Sequence, residues 1–172
     1  STMHGNEPLG TELCMYLILY LLEHYGTDTR VTALVDGASI WFVPLMNPDG
    51  HAILYRYNAN GYDLNRTFPD WPTQFSGTRY TGAPLHDENR PPEVAHMMRW
   101  SASRSCVVSA NFHTGARVVN YPYDDDDLGS VFSPSPDEDL FVYISRVYAS
   151  LNPSISGNTQ FAPYGITNGA AW

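Results

Sequence analysis

The sequence is poor in positive charge. Nine Lys and Arg stand against 18 Asp and Glu, for a formal net charge of −9. A phosphate backbone needs a basic face, so this balance argues against a nucleic-acid binder. An acidic protein suits cationic substrates better. Cysteine is scarce as well: the only two, Cys14 and Cys106, each sit in an apolar run. That argues against a disulfide framework and predicts two buried free thiols. Long hydrophobic runs are also missing. The stretch from Leu13 to Leu22 makes only about two and a half turns of helix, too short to span a bilayer. No repeat and no low-complexity segment occurs. The chain opens on Ser-Thr-Met-His without a start methionine, which reads as the inside of a longer protein.

What is present fits one globular domain. The chain has 172 residues, of which 43% are hydrophobic, and its 12 tyrosines suit a half-wet cleft. Ser1 to Glu7 reads as a strand end running into a loop. Leu9 to Tyr25 is apolar on most faces, which predicts a helix packed against a sheet and stopped by Gly26. Ile40 to Met46 reads as a buried strand, closed by the turn Asn47-Pro48-Asp49-Gly50. Residues 51 to 90 lack periodicity, and a long irregular stretch inside a domain is usually functional. Pro91 to Arg104 predicts a helix, Cys106 to Phe112 a second buried strand, and Arg117 to Tyr123 a third. Ser135-Pro136-Asp137-Glu138 has capping-box spacing with proline at the first helical position, and its helix should run to about Leu151. Asn152 to Trp172 shows no periodic pattern. Alternating strands and helices give an α/β class with a mixed or mainly parallel sheet.

Three residues carry metal-ligand chemistry. His4-x-x-Glu7 sets imidazole and carboxylate just ahead of a helix, and His113 ends an apolar strand. Zinc accepts both donor types, and a catalytic zinc uses three protein ligands. Asn65 and Arg66 place an amide beside a planar guanidinium, the right chemistry for gripping a carboxylate. Each motif alone serves equally well as ordinary structure: a surface histidine near a helix-start glutamate, a satisfied histidine, a loop that bonds to its own backbone. The run Asp124 to Asp127 is by default a solvated acidic loop, with clustered carboxylates that could also suit calcium.

The combination is more specific than its parts. His-Gly-Asn-Glu, Asn-Pro-Asp-Gly, Asp-Leu-Asn-Arg-Thr-Phe-Pro, Asn-Phe-His-Thr-Gly, Asn-Tyr-Pro-Tyr-Asp and Gly-Ile-Thr-Asn-Gly-Ala occur in this order. Over nearly its whole length the chain resembles the zinc metallocarboxypeptidases, or funnelins, and within them the branch of carboxypeptidases N, E, M and D. The resemblance implies a three-layer α/β/α sandwich with a mixed twisted sheet. It implies one zinc ion held by His4, Glu7 and His113. It implies that Asn65 and Arg66 hold the free carboxylate of a peptide's last residue, and that Arg56 steadies the oxyanion. Ungapped counting from His113 places Asp124 in the specificity pocket, which implies removal of a C-terminal Lys or Arg from peptides or proteins by metal-activated water. A secreted or periplasmic location follows from the same resemblance.

The sequence also departs from that pattern. The family's general-base glutamate, its capping tyrosine and its first strands have no counterpart, so residues 1–172 read as the central part of a catalytic domain. Glu12, Glu23, Glu88, Glu93 and Glu138 cannot be assigned as the base. His24, His51, His86 and His96 match nothing in the site and read as surface or structural. Two other readings compete with the exopeptidase: a non-catalytic peptide-binding member of the fold, and an aspartoacylase-like deacylase.

Overall fold

The computed structural model describes residues 1–68, 90–124 and 131–172. His86, Glu88 and Asp125 to Asp127 lie outside the described residues, and with them most of the acidic run. Helices α1 (Leu9–His24), α2 (Thr29–Gly37), α3 (Pro48–Ala52) and α4 (Pro92–Ala102) precede strand β1 (Val119–Tyr121). Helices α5 (Glu138–Ser150) and α6 (Pro153–Ser156) follow, and then strand β2 (Ile166–Asn168). These residues form two compact units, the first from residues 1–68 and 90–114, the second from the described part of 115–172.

The first unit is built on a small apolar core of Met3, Leu64, Val94 and Met98, with Met46 and Phe68 packed against it. Val94 and Met98 stand one helical turn apart on α4, so one face of that helix supplies half of this core. Leu64 is fully buried, which fixes the loop around it, while Asp63 before it turns toward His4 and Arg56 and Asn65 after it is exposed. Burying a side chain of that size stabilises by about 1.5–3 kcal/mol. The segment before α1 runs along residues 43–47: Ser1 N donates to Val43 O at 2.7 Å, Met46 N to Ser1 O at 3.1 Å and Asn47 N to Thr2 O at 3.2 Å. Thr2 holds φ +52, costly for a β-branched residue. Its hydroxyl is tied to Glu7 O at 3.1 Å and to the Thr11 hydroxyl at 2.8 Å.

In the second unit β1 and β2 pair in parallel, with Val119 opposite Ile166 and Tyr121 opposite Asn168. Helix α5 packs on both strands, and Arg146 lies over the ring of Tyr164 at 4.1 Å.

Several expectations change. Ile40 to Met46 and Cys106 to Phe112 carry no strand assignment, and Val107 is 95% exposed. Among the described residues no strand pairs with either run; residues 42–46 are still half-buried, with Met46 against the core, whereas Val107 and Val108 are exposed. Many apolar residues of α1 are exposed too, Tyr16 and Leu22 among them. Cys14 is buried as expected, but Cys106 is exposed; both are free thiols. The Asn-Pro-Asp-Gly turn continues into α3, because the Asn47 side chain accepts from Gly50 N at 2.9 Å and caps the helix. α5 begins at Glu138, two residues after Pro136. Glu138 still bonds back to Ser135 N at 3.4 Å, so half of the capping box is made. Helix α2 and strand β2 were not anticipated. Asp28 caps α2 through Arg30 N and Val31 N, the one local signal for it.

Candidate metal centre

His4, Glu7 and His113 converge. One donor atom from each lies within 4.8 Å of the others. His4 Nδ1 is 2.8 Å from Glu7 Oε1, and His113 Nδ1 is 2.9 Å from Glu7 Oε2. Three local devices produce this. Gly5 packs so tightly on the turn at Gly50, His51 and Tyr55 that a Cβ there would overlap their backbone. Asn47, fully buried, donates to Met3 O at 3.1 Å and so ties the His4 loop to α3. Thr114 N donates to Glu7 Oε2 at 3.0 Å and fixes the carboxylate against the segment that carries His113.

The chemistry of this donor set suits a metal ion. His4 meets a carboxylate at each nitrogen: Glu7 at Nδ1 and Asp63 Oδ1 at Nε2, 3.0 Å away. A neutral imidazole has one N–H and cannot satisfy two acceptors. If Nε2 donates to Asp63, Nδ1 faces the Glu7 carboxylate, and either a proton on Nδ1 or a metal ion between them completes the arrangement. The three donor atoms lie within 4.8 Å of one another, close enough for all of them to reach one ion. Burial alone would raise the Glu7 pKa. The Thr114 N–H, His113 and His4 outweigh it and hold Glu7 below the usual carboxylate range, ready as an anionic ligand.

Asp63 is the residue that motif reading passed over. Its Oδ1 takes His4 Nε2 and, at 3.0 Å, Asn65 N. Its Oδ2 takes Arg56 Nε and Nη2, each at 2.8 Å. Burial pushes this carboxyl up as well, and Arg56, His4 and Asn65 more than reverse it. The signal was available, because metal-bound histidines generally give their other ring nitrogen to a carboxylate. Arg56 thus has two donors engaged, and Nη1 faces the cluster at 3.8 Å from Glu7 Oε1. Asn58, buried, donates to Glu93 Oε1 and Oε2 at 3.1 and 3.2 Å, which pins the Arg56–Asp63 loop to α4.

Asn65 and Arg66 are exposed on the turn after Asp63. Arg66 Nη1 donates to Asn65 O at 3.0 Å, while the Asn65 amide has no side-chain partner among the described residues. Asp124 belongs to the second unit, is exposed, and packs on Gly169. Of the unassigned histidines, His24 bonds Tyr20 O and stacks on Tyr20, and His96 is exposed on α4.

His4 and Glu7 are buried and His113 is exposed, and a carboxylate and an arginine back them. The set offers three ligands, the number a catalytic zinc uses, where a structural site closes its coordination with a fourth protein ligand. The zinc carboxypeptidase family matches residues 1–172, and the chain belongs to that family. It is 40% identical to rat carboxypeptidase D over 188 residues, covering 99% of this chain and 13% of the relative. It is 37% identical to mouse carboxypeptidase M over 190 residues, covering 100% of this chain and 40% of the relative. Against the mouse carboxypeptidase N catalytic chain it is 37% identical over 202 residues, covering 99% of this chain and 44% of the relative. The chain therefore spans less than half the length of each of these relatives.

Proposed function

We propose that this chain forms the metal-binding and carboxylate-binding part of a zinc carboxypeptidase that removes one C-terminal residue, Lys or Arg, from peptides. His4, Glu7 and His113 would hold the zinc. The observation that carries this is the convergence of His4, Glu7 and His113, whose donor atoms lie within 4.8 Å of one another, with the outer nitrogen of His4 held by Asp63. Bound there, zinc supplies Lewis-acid polarisation of a carbonyl and lowers the pKa of a water molecule.

The chain's own residues do the rest by positioning. Asp63 fixes the ring of His4. Arg56 presents Nη1 to the side where negative charge develops on the scissile oxygen, a role in which one preset donor is worth about 10²–10³ in rate. Asn65 and Arg66 bind the terminal carboxylate, so that only the last peptide bond reaches the centre. For this Arg66 turns from Asn65 O to the substrate. Asp124 receives the basic side chain. The proposal includes a three-layer α/β/α domain, with residues 1–172 as its central part and the general base supplied from outside them. Among the described residues the carboxylates of the cluster, Glu7 and Asp63, are already engaged. That same observation favours a second reading, a member that binds peptide ends without cutting them.

The test uses the full-length, zinc-loaded protein and two peptides that differ only in a final Arg or Phe. The proposal expects cleavage, a preference for Arg, and loss of that preference in Asp124→Ala. Tight binding of both peptides without turnover supports the second reading. A preference for Phe in the wild type defeats the assignment of Asp124.

A further inference from the structure

We propose that Asn168 and Gly169 are specificity-positioning residues that hold Asp124 in place for a basic side chain. The inference rests on Asp124 being the pocket carboxylate. Neither residue is a metal ligand, and both stand at the end of β2. Asn168 is 3% exposed, and its amide is used at both ends. Nδ2 donates to Pro122 O at 3.1 Å and to Ser133 O at 2.8 Å, while Oδ1 accepts from Ser133 N at 3.0 Å. One buried side chain thus fastens the backbone just before Asp124 to the backbone at Ser133. Such a fully satisfied buried amide sets a single geometry, because every alternative leaves a polar group unpaired.

Gly169 acts on the same point by having no side chain. Its N–H donates to Tyr121 O at 2.8 Å, and Ala170 N donates to Tyr123 O at 2.7 Å, so the segment entering Asp124 is laced to the end of β2. A Cβ on Gly169 would stand 2.8 Å from Asp124 Cγ and 2.7 Å from Asp124 Cα, with Oδ1 closer still. The carboxylate could rotate away, but Cα is backbone and must be displaced. Any side chain at 169 therefore moves the charge itself. A shift of an ångström is enough to spoil a charge-assisted hydrogen bond to an incoming guanidinium.

The experiment measures kcat/KM for Arg-ended and Phe-ended peptides on zinc-loaded full-length protein carrying Gly169→Ala, Asn168→Ala or Asp124→Ala. The Arg-over-Phe ratio should fall about tenfold in each, the size of one misplaced charge pair. Zinc content should stay within about twofold of wild type in all three, and Phe-ended turnover should do so in Gly169→Ala and Asn168→Ala. In Asp124→Ala, adding Gly169→Ala should change the ratio no further. Should Gly169→Ala fail to fold, Asn168→Ala carries the test, since it removes three bonds without adding bulk. Amide exchange at Ser133 should then accelerate. A ratio abolished by Asp124→Ala yet intact in both other variants overturns the inference and leaves the pocket assignment standing. Equal loss on both peptides overturns it too, because that marks general destabilisation. A wild type without Arg preference instead removes the pocket assignment on which the inference rests.

Discussion

Replacing Asp63 by Asn should damage metal binding and transition-state stabilisation together. The side chain keeps its shape but loses its charge and one acceptor oxygen. Its carboxylate is 15% exposed and accepts from His4 Nε2, Asn65 N, and Arg56 Nε and Nη2. In the Asp63→Asn variant the remaining oxygen can serve His4 and Asn65 N, and then the new NH₂ points at the guanidinium, donor against donor. Turning the amide over repairs Arg56 and breaks His4. Either way one side fails. Loss of a carboxylate behind a metal-bound histidine typically costs about 10–100-fold in metal affinity. Loss of a preset donor to the developing oxyanion costs about 10²–10³ in kcat. The expected result is weaker zinc retention against a competing chelator, together with a fall in kcat of at least about tenfold at saturating zinc. Arg56→Lys should show the kinetic defect without the zinc defect, because lysine keeps the charge but cannot bond Oδ2 through Nε and Nη2 at once. Zinc affinity and kcat both unchanged in Asp63→Asn would refute the argument that this carboxylate orients the two partners.

Other expectations follow from the same geometry. His113→Ala should leave the purified protein with strongly reduced zinc by elemental analysis, and undiminished stoichiometry would remove His113 from the ligand set. A C-terminally amidated peptide should be cleaved far more slowly than its free acid, since Asn65 and Arg66 then lack a carboxylate to hold; equal rates would rule out the clamp. Burial, with the Glu138 carboxylate beside it, pushes the Tyr121 hydroxyl up to about 12. The folded state therefore disfavours the phenolate, and the stability this group contributes is complete below pH 10 and lost as pH rises from 10 toward 12. Absorbance titration should show a late tyrosine transition that is lost in Tyr121→Phe.

Local chemistry was legible where it was short-range. The ligand pair His4 and Glu7, the cap at Asn47 and the helix around Val94 and Met98 all follow from spacing within a few residues. The α/β class was legible as well. The strands were less so: Val107 and Val108 have the composition of a buried strand, but burial depends on partners that composition does not name. Strand β2 was missed because Ile166-Thr167-Asn168 is too short for any period to show, and it exists through pairing with Val119 to Tyr121. Asp63 was overlooked although it opens the Asp-Leu-Asn-Arg motif. Its importance lies in reaching His4, 59 residues away, and no local pattern reports that.

The lacing of Asn168 has a consequence for chemical ageing. An asparagine followed by glycine is the pair most prone to deamidation, since the bare glycine lets the next backbone nitrogen attack the side-chain carbonyl. The chain contains two such pairs, Asn60-Gly61 and Asn168-Gly169. The attacking nitrogen is bonded at both sites, Gly169 N to Tyr121 O and Gly61 N to Asn58 O, but at Asn168 the side-chain amide is also buried in three hydrogen bonds. At Asn60 the side chain is exposed, on the loop between Arg56 and Asp63. Stored protein should therefore age first at Asn60, gaining a negative charge within a few residues of the arginine that faces the metal centre. Asn168 should survive until the second unit opens, so peptide mapping of its deamidation would serve as a slow clock for that opening.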